Sequence, residues 1–351
     1  MAEEEVKKYT EISKLGEFKL IERLTEKIEL TQPSTLKGVG DDAAVIAPPE
    51  PGEVMLLSTD MMAEGIHFEL TYTPLRHLGY KAVAVNVSDI CAMNGESTQV
   101  VVSLAVSNQY SVESLDEIYK GIKFACKEYK VDLVGGDTTS SRSGLVIDVT
   151  ILGKAKKDKV VYRSGAKAGD LLCVSGDLGG AYAGLYLLEN ARKKVGVDPA
   201  SKPEFQGYGY VLQKQLMPHA RVDIIELLCS SGVLPTSMID VSDGLSSEIH
   251  HICKASKVGC LLEEIKIPIH EEAIKVAQEA GVPPALFALS GGEDYELLFT
   301  LNPSDYKKIK DHSKINIIGE ILPAEDGIKV ADKKGKLHPL NIQGWDGLKV
   351  N

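Results

Sequence analysis

The sequence predicts two domains of mixed helix and strand, α/β or α+β. Three observations carry that expectation. The chain has 351 residues, which at ~150 residues each suggests two domains. Strand-like and helix-like runs alternate in both halves. A polar, turn-rich segment, KKDKVVYRSGAKAGD (156–170), lies between them. The expected division is therefore 1–155 and 156–351, with the direction of the strands left open.

GEFKLIERLTEKI (16–28) spaces Phe18, Ile21, Leu24 and Ile28 along one helical face. EVMLLSTD (53–60) reads as a strand ending in polar residues. LGYKAVAVNVSDICAMN (78–94) is small and apolar on several sides, as a buried helix is. STQVVVSLAVS (97–107) is rich in β-branched residues and reads as a central strand. SVESLDEIYKGIKFACKEYK (111–130) has a clear helical period. VDLVGGDTTSS (131–141) reads as a strand running into a glycine turn, and GLVIDVTILGKA (144–155) as another strand. In the second half LLCVSGDLGGAYAGLYLLE (171–189) is strand, glycine turn, helix, and SMIDVSDGLSSEIHHICKAS (237–256) repeats that grammar. FALSGGEDYELLFTL (287–301) sets a glycine-acid turn before a strand. The stretch from Asn190 to Gly209 is polar and reads as a surface insertion.

Lys and Arg number 39 against 50 Asp and Glu, a formal net charge of −11. That balance disfavours non-specific binding to nucleic acid or anionic membranes. A polyanion bound here needs metal ions or local dipoles to mediate. MAEEEVKKYT is acidic and has no apolar core, so no secretory signal is expected. Apolar runs such as Val100 to Val106 fall far short of the ~18 residues of a membrane span. Cys91, Cys126, Cys173, Cys229, Cys253 and Cys260 form no C-x-x-C pair. Free thiols in a reducing cytoplasm are expected.

GVGDDAAVI (38–46) sets Asp41 and Asp42 side by side before an apolar run. Asp60, Asp89, Asp137, Asp240 and Asp243 also come at or near the end of apolar runs, often beside Gly, Ser or Thr. Taken singly, such an aspartate is ordinarily a helix cap or turn former. Taken together, the acids would sit at strand ends along one rim, where their repulsion calls for cations. Mg²⁺ binds through one or two carboxylates, substrate phosphates and water, and Ser58, Thr59 and Ser242 could add oxygens. There is no G-x-x-x-x-G-K-[ST] and no H-R-D loop with a downstream Asn, so neither a P-loop nor a protein-kinase site is expected. SGDLGGAYAGL (175–185) is either a source of backbone N–H groups for phosphate or a tight strand–helix turn. Arg163 reads as a phosphate clamp or a surface ion pair. His67 by itself reads as structural, as do His250 and His251, and the lone Trp345 as core.

GVGDDAAVI, STDMMAEGIHF, YKAVAVNVSDICAMN, GGDTT, RSGAKAGD, IDVSDGL and LSGGEDYEL occur in that order. Together they closely resemble the thiamine-monophosphate kinases of the aminoimidazole-ribonucleotide-synthetase-like (PurM-like) superfamily, from about Gly16 to Trp345. The resemblance implies an α+β, two-domain PurM-like fold. Residues 1–155 would bind ATP and Mg²⁺ and join sheets with a second copy into a shared barrel. Residues 156–351 would form the α/β domain. It implies Mg²⁺-assisted, ATP-dependent phosphorylation of thiamine monophosphate to thiamine diphosphate by a cytoplasmic homodimer. It puts Asp42, Ser58, Thr59, Asp60, Asp89, Asp137, Asp240 and Asp243 on metal positions, with Asp42, Asp60, Asp89 and Asp137 catalytic. Tyr119, Gly136, Asp137, Arg163 and Ser242 fall on nucleotide contacts, and His67, Glu293 and Trp345 on substrate contacts. A selenophosphate synthetase would carry a reactive Cys in its N-terminal glycine-rich segment, and none precedes Cys91. A metal-dependent phosphohydrolase and a non-catalytic nucleotide-sensing module are the competing readings.

Overall fold

The computed structural model describes residues 9–40, 43–197 and 203–342. The chain forms two compact units, one from 1–49, 57–86 and 97–153, the other from 50–56, 87–96 and 154–351.

The N-terminal elements begin with α1 (Ile12–Leu15), α2 (Glu17–Thr25), β1 (Thr35–Lys37) and β2 (Val45–Ile46). β1 and β2 pair antiparallel, flanking the connection that carries the Asp41–Asp42 pair. Then come β3 (Glu53–Ala63), α3 (Leu75–Ala92), β4 (Glu96–Val106), α4 (Val112–Tyr129), β5 (Asp132–Ser140) and β6 (Leu145–Lys156). The four long strands make one sheet in the order β3-β6-β4-β5, so β3 and β5 are its edges.

Local chemistry accounts for these elements. Ser111 caps α4 by accepting the Ser114 N–H at 3.2 Å, and Lys130 ends the helix in the left-handed region. Val112, Leu115, Ile118, Tyr119, Ile122 and Cys126 form its buried stripe at helical spacing. α3 buries Leu78, Tyr80, Val83, Val85, Val87 and Ile90 on all sides, as its composition predicts. β6 alternates fully buried Leu145, Ile147, Val149 and Ile151 with half-buried neighbours.

The expected glycine turn after Val134 is a correction: β5 runs through Gly135 and Gly136 to Ser140. It pairs in parallel with β4, Gly136 opposite Val102. A Cβ at Gly136 would lie 1.9 Å from the Val102 carbonyl oxygen, so close strand approach, not a turn, explains this glycine. At the start of β5 the buried Asp132 accepts from the Thr31 N–H (2.6 Å), the Thr31 hydroxyl (3.0 Å) and the Gln32 N–H (3.0 Å). Gln99 on β4 donates to the Ser34 and Thr35 hydroxyls at 2.8 and 2.9 Å. Two buried polar side chains thereby staple the strand that leads into the Asp41–Asp42 connection.

The C-terminal elements are β7 (Leu171–Ser175), α5 (Gly180–Val197), α6 (Gly209–Leu216), α7 (Val222–Ser230), β8 (Ser237–Asp240), α8 (Leu245–Ser256) and β9 (Gly259–Glu263). They continue with α9 (Glu271–Glu279), α10 (Pro284–Ser290), β10 (Leu297–Leu301), α11 (Pro303–Tyr306), β11 (Ile315–Leu322), β12 (Ile328–Ala331) and β13 (Leu337–Pro339). The sheet order is β13-β12-β9-β11-β7-β10-β8. Its neighbours pair antiparallel except β12 with β9. Helices beside a mainly antiparallel sheet make the fold α+β. Leu172, Val174, Ile239, Val241, Ile249 and Leu298 belong to one core, and Ala183, Val211, Val276 and Phe287 to a second. α5 continues to Val197, so the first part of the expected surface insertion is helix. No helix among the described residues is long and apolar enough to cross a membrane.

An ionic network, buried at Glu296, joins α6 and α7 to the residue that precedes β10. Lys214 reaches Glu296 at 2.7 Å, and Arg221 pairs with the other oxygen of the same carboxylate. Burial alone would push the Glu296 carboxyl up, but the two cations hold it below its ordinary value. Asp223 accepts from Arg221 at 2.9 Å and from Lys314 at 2.7 Å. Its burial raises the carboxyl's pKa, yet those hydrogen bonds prevail and hold it at about 2 against an ordinary 3.8. The folded state then binds fewer protons at this site than the unfolded chain, so the stabilisation is full above the unfolded value and lost as pH falls toward 2. Asp223 is 41% exposed, and solvent screening limits the contribution to about 1 kcal/mol. Urea titrations should find Asp223→Asn less stable than the parent at about pH 6 and equal to it near pH 2. A gap that persists unchanged in acid would contradict this.

Candidate functional site

In the first unit, β3 carries half-buried Ser58, exposed Thr59 and half-buried Asp60. All three lie within the strand rather than at its end, as do Gly136 and Asp137 on β5. Edge strands can present polar side chains without leaving the sheet, which is why hydrophobic runs alone placed these acids at strand ends. β3 and β5 are opposite edges, so the sheet order does not put Asp60 beside Asp137. The Thr59 hydroxyl meets Thr150 Oγ1 at 3.0 Å, the Val149 carbonyl at 3.1 Å and Asp148 Oδ1 at 3.3 Å on β6. Asp148 is a carboxylate that sequence reasoning missed; its only signal was a polar residue at an alternate position of a strand.

His67 is exposed, and its Nδ1 accepts the Ala63 N–H at 3.0 Å. The neutral ring therefore carries its proton on Nε2, where it can donate to an anion. Tyr119 is buried in α4, and burial pushes its phenol up to about 12, so it stays protonated at neutral pH.

In the second unit, Asp89 is half-buried inside α3, not at a strand end. Its neighbour Ser88 is fully buried and donates to Asp240 Oδ2 at 2.7 Å. Asp240 closes β8, and Ser242 and Asp243 occupy the turn before α8. Glu248, on the first turn of α8, accepts the Asp243 N–H at 2.9 Å through Oε1. Its Oε2 is buried with no hydrogen-bond partner. Burial first, then the charges of Asp243 and Asp240, push the Glu248 carboxyl up to about 8. Glu248 also escaped sequence reasoning, since an acid in the first turn of a helix is ordinarily a dipole partner.

The acidic turn after α10 is laced to this one. The Val241 N–H donates to the Glu296 carbonyl (2.8 Å), the Tyr295 N–H to the Val241 carbonyl (2.9 Å) and the Glu293 N–H to the Ser242 carbonyl (2.8 Å). Glu293 and Tyr295 sit at φ +67° and +51°, in the left-handed region. A Cβ on Gly292 would lie 2.2 Å from the Ser242 carbonyl oxygen, so only glycine permits this approach. Exposed Arg163 lies on a loop pinned by Ser256, whose hydroxyl accepts the Gly165 and Ala166 N–H groups at 3.1 and 3.2 Å. Asp42 and Trp345 lie outside the described residues.

Among the described residues no group of three or more His, Cys, Asp or Glu side chains is gathered that could hold a metal. A cation here would have to complete its shell with water or phosphate oxygens, the ordinary habit of Mg²⁺. In the second unit the oxygen chemistry fits that ion: Asp240, Asp243 and Ser242 lie beside Glu248, whose buried Oε2 has no hydrogen-bond partner and whose proton affinity is raised by burial first and then by Asp243 and Asp240.

The family described as AIR synthase related protein, N-terminal domain, matches residues 40–155, and its C-terminal domain counterpart matches residues 167–329. The thiamine-monophosphate kinase of Bacillus subtilis is 33% identical over 340 residues, covering 92% of this chain and 99% of that protein. The same enzyme of Aquifex aeolicus is 32% identical, covering 95% of this chain and 98% of that protein. The structure of AaThiL complexed with AMPPCP and TMP superposes with a TM-score of 0.74 at 32% identity, over 95% of this chain and 97% of that one.

Proposed function

The chain belongs to the AIR synthase related family, and from that premise we propose that it transfers the γ-phosphoryl group of ATP to thiamine monophosphate, yielding thiamine diphosphate and ADP. One observation carries the reading: thiamine-monophosphate kinases match nearly end to end at about one-third identity, and one such structure is a complex with AMPPCP and TMP.

The chemistry is a problem of charge. A phosphate monoester, with second pKa near ~6, is mostly a dianion at neutral pH and must approach the polyphosphate of ATP. Asp42, Ser58, Thr59, Asp60, Asp89, Asp137, Asp240 and Asp243 would hold Mg²⁺, which offsets that repulsion and stabilises charge on the leaving oxygen. The acceptor oxygen is already deprotonated, so no general base is needed and transfer is direct and in line, with no phosphoenzyme. Arg163 offers a forked cation to ATP phosphate, and Gly136, Ser242 and Tyr119 serve the nucleotide. His67, through Nε2–H, serves the substrate phosphate. Glu293 and Trp345 serve its ring system, where stacking on a cationic ring is worth ~0.5–2 kcal/mol.

We further assign the protein to the cytoplasm as a homodimer. Its cysteines are free thiols, which supports a reducing compartment. Leu57 and Met61 on edge strand β3 are 68% and 59% exposed, which supports a covering second copy.

A coupled ADP assay with thiamine, thiamine monophosphate and other phosphate monoesters, each with and without chelator, tests the function. ADP should form only with thiamine monophosphate and only with divalent metal present. ATP hydrolysis without acceptor would point instead to a phosphohydrolase, and nucleotide binding without turnover to a sensing module. Either outcome, or full activity in chelator, overturns the proposal.

A further inference from the structure

We propose that Gln215 is a positioning residue for the thiamine substrate, acting through Glu293; the inference rests on the kinase reading. Gln215 is 5% exposed near the end of α6, and its Nε2 donates to Glu293 Oε2 at 2.7 Å. A buried neutral amide that donates to a carboxylate fixes the plane of that carboxylate and keeps it an acceptor.

The surrounding backbone leaves Glu293 little other freedom. Its own N–H is tied to Ser242, and its left-handed φ turns the chain sharply. The next residue, Asp294, is buried and accepts the Gly179 N–H at 2.6 Å and the Ala181 N–H at 3.1 Å, at the start of α5. Two residues further, Glu296 is gripped by Lys214, the neighbour of Gln215. Consecutive residues of α6 thus each hold one acid of the Glu293–Glu296 turn, Lys214 the structural one and Gln215 the one facing substrate chemistry. The aminopyrimidine of thiamine presents an N–H donor, and its thiazolium a cation. An oriented carboxylate discriminates for both, whereas a freely rotating one does so less well.

The experiment is steady-state kinetics on the full-length protein with Gln215→Leu, which keeps bulk and removes the donor, and Gln215→Asn, which withdraws the amide by one methylene. The KM for thiamine monophosphate should rise about 5- to 10-fold in both, with kcat and the ATP KM within about twofold. Glu293→Gln should raise the same KM, and adding Gln215→Leu to it should have little further effect, because the two act as one unit. If Gln215→Leu does not fold, Gln215→Asn carries the same expectation. An unchanged thiamine monophosphate KM in a folded variant, or equal losses toward ATP, overturns the role of Gln215 while leaving the kinase reading intact. A parent protein that does not phosphorylate thiamine monophosphate defeats the kinase reading itself.

Discussion

Asp89→Asn should abolish turnover and leave the fold unchanged. The substitution keeps the shape of the side chain and exchanges a carboxylate for an amide. Asp89 is half-buried in α3, on a helix whose neighbours Ser88, Ile90 and Cys91 are buried and unaltered. Ser88 keeps its bond to Asp240, so the link between α3 and β8 survives. What disappears is one negative charge from the proposed metal-binding acids. Electrostatic stabilisation of a transferring phosphoryl group is worth several kcal/mol, so kcat/KM should fall roughly a thousandfold. The thermal midpoint and far-ultraviolet spectrum should match the parent. Activity within about tenfold of the parent would remove Asp89 from the catalytic set.

Gly136→Ala should instead strongly destabilise the first unit. The added Cβ would lie 1.9 Å from the Val102 carbonyl oxygen. That oxygen belongs to the backbone of β4, paired in register with β5, so no rotamer change relieves the clash. A cost of about 3 kcal/mol is expected, a large part of a domain's stability. Gly135→Ala is the internal control, because its Cβ would meet Val101 Cγ1 at an ordinary 3.5 Å. Urea denaturation should separate the two variants clearly, and equal midpoints would contradict the argument.

The two expectations draw on different information. The role proposed for Asp89 was suggested by short motifs along the chain, since NVSDI, GGDTT, IDVSDGL and GGEDYEL occur in that order. The steric role of Gly136 is not. Two adjacent glycines ahead of an aspartate have the composition of a turn, and only pairing with β4 shows that the strand continues through them. Glu248 and Asp148 escaped for a related reason. Their residue types suit ordinary exposed positions, and their meaning comes from Asp243 and Thr59, which other segments bring to them. The same holds for Gln215 and Glu293, 78 residues apart.

Read alone, the chain revealed its mixed helix-and-strand character, the positions of most long elements and the family to which it belongs. Those properties follow from side-chain periodicity and short motifs, which are local in the chain. Strand direction, edge placement and hydrogen-bond partners emerged only in three dimensions. The antiparallel sheet with its one parallel pair, the acids within β3, β5 and α3, and the clasp of Gln215 on Glu293 all depend on contacts between distant segments. Local preference fixes the direction in which a side chain leaves its own backbone, while packing of the whole chain selects what it meets.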